Sequence, residues 1–254
     1  MSLSRVDYPK DLLVKGRLYN LTVYRDCCFK CAYCWARLPF FSTRVKKGKY
    51  DPVEKARKIP PCNTVLISFT SDPYQGREKE ERKTRAVLEV LIKERDYDYD
   101  GRILVLTKNP MLAWLLDRDL YGWGTWIGST LISAHTDRRI EPFAPSVEER
   151  LEALKLFSDA DVDIFVSIEP IIPHVSDDIG YLLSQLAELD TLRCVIFGAL
   201  NYYKQLKLPW KFTKKQLQKY YLANVPNWLY LCKELGIDFY VKKELREYFF
   251  TVEV

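Results

Sequence analysis

The sequence lacks any apolar stretch long enough to cross a membrane. Its longest apolar runs, such as Val65–Phe69 and Ile103–Leu106, have the length of β-strands, whereas a membrane-spanning helix needs about 20 apolar residues. The first ten residues are polar and lack the apolar core of a secretory signal. We therefore expect a cytoplasmic protein.

Glycine, proline and histidine are also scarce. The 254 residues include 10 glycines, 13 prolines and 2 histidines, which is too little glycine and proline for a fibrous or low-complexity chain. An apolar fraction of 48% excludes a disordered chain. No internal repeat or Pro/Gly/Ser-rich linker divides the sequence, so we expect one domain over residues 1–254.

Short apolar runs alternate with helical patterns along the chain. Strands are predicted at Leu18–Tyr24, Val65–Phe69, Ile103–Thr107, Trp126–Leu131, Ile164–Ile168 and Val195–Gly198. Helices are predicted at Glu78–Glu94, Met111–Asp117, Val147–Ser158, Asp178–Leu189 and Lys214–Leu235. This alternation predicts βαβ units and an α/β fold with a parallel sheet. Six units fit either an open doubly wound sheet or an incomplete barrel.

What the sequence does have is a cluster of cysteines directly after the first predicted strand. Cys27, Cys31 and Cys34 form a C-x3-C-x2-C triplet, with Cys28 beside them, and the odd total of seven argues against a disulfide framework. Thiolates are soft ligands for zinc or for an iron–sulfur cluster. Three cysteines on one loop favour a [4Fe–4S] cluster whose fourth iron is open to another ligand.

A structural zinc site is the alternative for these cysteines, with Cys28 as the fourth ligand. Zinc ligands usually come as two separated pairs. No second pair follows in this sequence, and the two histidines, His135 and His174, are isolated. The zinc hypothesis is therefore the weaker of the two.

The triplet, the aromatic residue before its last cysteine and its position after the first strand resemble the radical S-adenosylmethionine (SAM) superfamily. The resemblance implies a partial (β/α)6 TIM-type barrel with parallel strands. Residues 200–254 would form a helical, basic extension that closes the barrel. The resemblance also implies that Cys27, Cys31 and Cys34 hold a [4Fe–4S] cluster and that SAM binds its open iron. An external electron donor of the flavodoxin or ferredoxin type would supply the electron.

Further motifs are similar to the spore photoproduct lyase-like branch, which includes DNA repair enzymes. They are Thr70–Gln75, Leu106–Lys108, Gly128-Ser129, Glu141–Ser146, Glu169–Pro173, Val195–Gly198 and Phe239–Lys243. Two of them, Val195–Gly198 and Phe239–Lys243, are also similar to phage-encoded radical SAM proteins. The resemblance assigns SAM contacts to residues at the strand ends and beside the triplet. These residues are Tyr33, Trp35, Ser71, Asp72, Lys108, Ser129 and Glu169.

Each assigned SAM contact also has a purely structural interpretation. Lys108 could be solvated at a helix entry, and Asp72 could belong to a turn. Ser129 could satisfy a backbone group, and Glu169 could end a strand. The resemblance places Asp72 near the ammonium group of SAM, Lys108 near its carboxylate, Ser129 near its ribose and methionine portion, and Glu169 near its adenosine.

One position departs from the lyase pattern. The lyase has a hydrogen-donating cysteine directly before its Thr-Ser-Asp, where this sequence has Phe69. Cys62 is predicted to precede the second strand and Cys194 to begin the last predicted one, whereas the site is expected where the strands end. Neither cysteine therefore replaces that of the lyase. We therefore expect a lyase-like or modifying radical reaction whose mechanism differs from that of the lyase.

The net charge of +5 is modest, but basic residues are clustered. Residues 201–221 carry six lysines and no acidic residue, with Trp210 and Phe212 among them, and Arg44–Lys49 forms a second basic stretch. Such segments neutralise phosphates and stack bases in some proteins, whereas in others they form a solvated surface. The lysines predicted to contact nucleic acid are Lys204, Lys207, Lys211, Lys214 and Lys215.

The leading hypothesis is a radical SAM enzyme whose substrate is not identified, with nucleic acid as one candidate. The other hypothesis is a zinc-stabilised module that binds nucleic acid without catalysis. The sequence predicts no membrane partner for either.

Overall fold

In the part of the chain that the structure describes, the strands form a single sheet of seven parallel strands, curled into a partial barrel. The computed structural model describes residues 7–9, 13–14, 16–41, 50–93, 101–122 and 124–250. The strands lie side by side in chain order. They are β1 (Leu18–Leu21), β2 (Thr64–Ile67), β3 (Ile103–Thr107), β4 (Thr125–Thr130), β5 (Ile164–Ile171), β6 (Leu192–Ala199) and β7 (Phe239–Val241). The predicted partial TIM-type barrel with parallel strands is confirmed.

Helices connect the strands and cover the outer face of the sheet. They are α1 (Pro52–Ala56), α2 (Glu78–Glu81), α3 (Lys83–Lys93), α4 (Pro110–Asp117), α5 (Val147–Asp159), α6 (Ile179–Leu186), α7 (Lys214–Glu234) and α8 (Lys243–Phe250). The predicted capping box at the start of α5 is present, since Ser146 and Glu149 bond each other's backbone N–H. In the described part of the chain, no helix has both the length and the apolar character needed to cross a bilayer.

Side chains of the strands alternate between two apolar cores. Val65, Ile67 and Val105 pack under the helices. Leu66, Leu104 and Phe165 fill the lumen of the barrel. Because successive residues of a strand point to opposite faces, this alternation determines which residues at the strand ends face the lumen. The continuous apolar runs of the sequence reflect strands that are buried on both faces.

Helices α1 and α8 are not among the helices predicted from the sequence, and two further elements differ from the sequence-based expectation. The predicted helix Glu78–Glu94 is interrupted at Arg82, whose φ of 50° is left-handed, so α2 and α3 are separate. A seventh strand, β7, pairs with β6 in parallel. It has only three residues, all half-buried, and such a short run carries little periodic signal. Residues after 200 therefore add a strand to the sheet. The expected single domain, with residues 200–254 as a helical, basic extension, stays a prediction.

Candidate functional site

A cavity of about 960 Å³ opens at the carboxyl ends of the strands. All three cysteines of the triplet line it, although the loop that carries them follows only β1. Loops at the carboxyl ends of parallel strands converge on one mouth, which explains how residues far apart in sequence meet here. The sequence-predicted residues that line it beside the cysteines are Tyr33, Trp35, Ser71, Asp72, Lys108 and Glu169.

The loop after β2 holds the cysteine loop by its backbone. The buried side chain of Gln75 accepts the N–H of Cys28 at 2.8 Å and donates to the carbonyl of Asp26 at 2.8 Å. The same amide donates to the carbonyl of Asp72 at 2.9 Å. One fully buried glutamine therefore ties the two loops together, and sequence reasoning, which quoted Gln75 only within a motif, did not assign it this role.

A buried charged network lies behind the triplet. Tyr33 and Arg150 both donate hydrogen bonds to the carboxylate of Glu141, and all three side chains are buried. Burial opposes the charge of Glu141, but Arg150 and Lys108 outweigh it and hold its pKa below the ordinary value. The backbone N–H of Ala32 also donates to the carbonyl of Ile140 at 2.8 Å. The loop after β4 is thus the second support of the cysteine loop.

Asp72 and Lys108 are joined to each other. The Asp72 carboxylate accepts the backbone N–H of Lys108 at 2.7 Å, the hydroxyl of Thr107 at 2.7 Å and the N–H of Tyr74 at 2.9 Å. The Lys108 ammonium lies 5.4 Å from the centre of the Tyr33 ring. Burial works against its charge, but the fields of Cys31 and Glu141 raise the pKa of Lys108 above its usual value, so it stays protonated.

The cysteines differ in their exposure. Cys31 is buried, Cys27 and Cys34 are half-buried, and Cys28 is exposed. Burial raises the pKa of the Cys27 thiol to about 12 and that of Cys31 to about 11. A metal centre bound here must therefore displace protons from these thiols.

A single metal ion and a cubane cluster require different arrangements of the three cysteine sulfurs. One ion needs all its ligands around one point, and no three His, Cys, Asp or Glu side chains are so arranged in the part of the chain described. A cubane needs three sulfurs spread over one of its faces, since each binds a different iron. His135 and His174, the histidines available to the zinc alternative, line a separate cavity between the loops after β4 and β5.

The two predicted serines have different environments. The hydroxyl of Ser71 is buried at the cavity wall without a hydrogen-bond partner among the described residues. Ser129 instead donates to the carbonyl of Thr107 at 2.9 Å and does not line the cavity. Its neighbour Thr130 does, because alternation along β4 turns Thr130 inward and Ser129 outward. A direct SAM contact by Ser129 stays a prediction without support from this placement.

Glu169 lies in the cavity wall and pairs with a residue that sequence reasoning did not select. Its Oε2 is 2.6 Å from Nζ of Lys242, which is 3% exposed. The signal available in the sequence was a lysine directly after a short apolar run, Phe239–Val241. Phe69 faces the same cavity, whereas Cys62 and Cys194 do not line it.

No protein-family model matches the chain. An uncharacterized protein of Methanocaldococcus jannaschii is 28% identical over 184 residues, which is 68% of this chain and 67% of that protein. A spore photoproduct lyase mutant with bound AdoMet and dinucleoside spore photoproduct matches 89% of this chain and 76% of its own, with a TM-score of 0.64 and 16% identity.

Two further solved structures are similar. Streptococcus suis SuiB bound to S-adenosylmethionine has a TM-score of 0.58 and 12% identity over 94% of this chain and 54% of its own. A radical SAM methyltransferase from Sphaerobacter thermophilus has a TM-score of 0.56 and 14% identity over 91% and 67% of the two chains. The chain has the fold of the radical SAM enzymes. The expected resemblance to spore photoproduct lyase is confirmed at the level of this fold.

The structure describes one of the two basic segments. The five lysines predicted to contact nucleic acid are exposed, and Trp210 and Phe212 are half-buried against His174, at ring distances of 5.6 and 6.3 Å. Their role stays a prediction. The second basic stretch, Arg44–Lys49, falls within residues 42–49, outside the described part of the chain.

Proposed function

We propose that this protein is a radical SAM enzyme with a [4Fe–4S] cluster on Cys27, Cys31 and Cys34. One observation carries the proposal: the three cysteines share a cavity with Lys108 and with the buried hydroxyl of Ser71, which has no hydrogen-bond partner among the described residues. A buried hydroxyl without a partner costs free energy, which a ligand in the cavity would recover. When bound, such a cluster would supply one electron for the reductive cleavage of a carbon–sulfur bond of SAM.

The chain's own residues would orient the cofactors and exclude water. Lys108 provides a positive charge beside Cys31, which offsets the negative charge of thiolates and suits a carboxylate. Ser71 offers a free hydroxyl for a polar group of SAM. Asp72 fixes the backbone of Lys108, and the buried Tyr33–Glu141–Arg150 network keeps the cysteine loop in place.

Anaerobic reconstitution tests the cluster. We expect iron and sulfide in equal amounts, a brown chromophore and Mössbauer signals of a [4Fe–4S] cluster. Single Cys→Ala changes at positions 27, 31 and 34 should abolish them. Cys28→Ala is the matched control, since Cys28 lies in the same loop but is exposed. One zinc per chain without iron or sulfide, or a triple variant that keeps the chromophore, would refute the proposal.

Turnover is a separate question from cluster binding. With SAM and dithionite, the reconstituted protein should produce 5′-deoxyadenosine, whereas a scaffold that binds a cluster without turnover would not. In the cell, an external one-electron donor of the flavodoxin or ferredoxin type is proposed to replace dithionite.

Nucleic acid is the proposed partner class for the exposed lysine segment. Lys204, Lys207 and Lys211 precede α7, and Lys214 and Lys215 open it. Exposed lysines contribute affinity by releasing counterions from phosphates. Arg139, whose guanidinium carbon lies 5.2 Å from the centre of the Trp210 ring, is neutralised by its ion pair with Asp137 and adds no net charge to this surface.

A further inference from the structure

Glu169, Gly198 and Lys242 form a row across the ends of three neighbouring strands. Ile168 of β5 pairs with Phe197 of β6, and Phe197 pairs with Val241 of β7. Glu169, Gly198 and Lys242 are the residues that follow these three. The Glu169 side chain lies across β6, and its Oε2 is 2.6 Å from Nζ of Lys242.

Gly198 makes this crossing possible. A Cβ atom at position 198 would lie 2.6 Å from both Cγ and Cδ of Glu169 and 2.8 Å from its Oε1. Real Cβ contacts are not so short, so any other residue would force Glu169 away. The row is therefore a built arrangement in which the absence of one side chain lets two others meet.

The pair keeps unused hydrogen-bonding capacity. Among the described residues, Nζ of Lys242 bonds only to Glu169, and Oε1 of Glu169 has no hydrogen-bond partner. Both residues line the cavity. A buried ion pair stabilises a protein little unless its remaining donors and acceptors are satisfied. The row thus offers one acceptor, Oε1, next to ammonium N–H donors.

Flat aromatic surfaces lie beside the row. The Lys242 ammonium is 5.3 Å from the centre of the Phe69 ring, and Phe69 is 5.6 Å from the ring of Trp35. Tyr202 lies 6.4 Å from Trp35. All three aromatic residues line the same cavity, and their faces suit a planar, conjugated ligand.

We infer that the row Glu169–Gly198–Lys242 is the substrate-recognition site and that it reads the edge of a planar nitrogen heterocycle. Oε1 of Glu169 accepts from a ring N–H, Nζ of Lys242 donates to the neighbouring carbonyl or ring nitrogen, and the ring packs against Phe69 or Trp35. A simple anion or cation fits less well, because the pair neutralises itself. The assignment of this ligand as substrate rests on the proposed function, whereas its binding does not require turnover.

Calorimetric titration of the reconstituted protein, with SAM present and no reductant, tests the site. The probes are uridine, which offers an N–H beside carbonyl groups, and N3-methyluridine, which lacks that donor. We expect uridine to bind at least tenfold more tightly than N3-methyluridine. Glu169→Gln and Lys242→Met should each weaken uridine binding at least tenfold, and by a larger factor than they weaken SAM binding. Lys243→Met, at an exposed neighbouring position, should change neither.

Three results would overturn the inference: no uridine binding, equal binding of both nucleosides, or variants that lose SAM affinity while uridine binding is kept. The last result would assign the row to the adenosine of the cofactor. The comparison of the two nucleosides uses the unaltered protein, so it holds even if Lys242→Met does not fold. Failure of cluster assembly would refute the proposed function. The difference in affinity between uridine and N3-methyluridine could still be measured on the protein as purified.

Discussion

The carboxylate of Asp72 accepts the backbone N–H of Lys108 at a distance of 2.7 Å. The family resemblance assigned the two residues separate contacts, Asp72 with the ammonium group of SAM and Lys108 with its carboxylate. The structure instead shows that the end of β3 is held by the loop after β2, with the Thr107 hydroxyl as a second donor to the same carboxylate. Asp72 therefore positions the residue that follows β3, whether or not it also contacts a ligand.

Asp72→Asn should weaken this connection. An asparagine amide keeps one acceptor oxygen, so at least one of the buried donors around position 72 loses its partner. Such a loss costs about 1–3 kcal/mol, and urea denaturation of the metal-free protein should show it. Asp161→Asn is the control, because Asp161 is exposed and left-handed and asparagine tolerates that conformation. Equal stability of the two variants would contradict the role given to Asp72.

Glu141→Gln should destabilise the protein in a pH-dependent way. Removal of the charge leaves Arg150 buried without its counterion, at a cost of about 3–5 kcal/mol. The pKa of Glu141 lies below its ordinary value of 4.5, so the charged carboxylate stabilises the fold above pH 4.5 and that contribution is lost as the pH falls through the lowered pKa.

The difference in unfolding free energy between wild type and E141Q should therefore shrink below pH 4.5. Chemical denaturation at several pH values between 7 and 3 measures it. Glu188→Gln, at an exposed position, is the control and should show a small difference at every pH. A constant gap for E141Q would show that the carboxylate is not ionised in the folded protein.

Gly128→Ala should destabilise the barrel. A Cβ atom there would lie 2.3 Å from the ring of Phe165, which is fully buried in the lumen. Overpacking of this kind costs about 1–3 kcal/mol. Gly76→Ala is the matched control, since no atom lies within 4 Å of its Cβ position and its effect should stay within about 0.5 kcal/mol. Thermal unfolding that cannot separate the two variants would refute the packing argument.

Exchange of three exposed lysines for glutamine should weaken nucleic-acid binding. In the triple variant at positions 204, 211 and 215, the slope of log Kd against log salt for single-stranded DNA or RNA should fall by about 2, at roughly 0.7 per lost phosphate contact. A fluorescence anisotropy titration at several salt concentrations measures this slope. A triple variant at the exposed Lys79, Lys93 and Lys155 is the control. Equal slopes for the two triple variants would remove the support for a nucleic-acid partner.

Much of the fold could be predicted because it is encoded locally. Six of seven strands and the positions of α4 to α7 follow from apolar runs and caps, which depend on neighbouring residues. The break at Arg82 and the short strand β7 could not be predicted, since a single left-handed residue and a three-residue strand leave almost no periodic signal. Pairing with β6, a long-range contact, is what makes Phe239–Val241 a strand.

The sequence by itself determined the cysteine spacing and a parallel α/β sheet whose strand ends converge on one edge, because spacing and hydrophobic periodicity are properties of the linear chain. The partial barrel was implied by the family resemblance and not by periodicity. Only the tertiary structure decided which polar residues face the mouth of the barrel. Thr130 turns inward and Ser129 outward because side chains alternate along β4. Glu169 meets Lys242, 73 residues away, because parallel pairing aligns three strand ends and Gly198 leaves the space between them open.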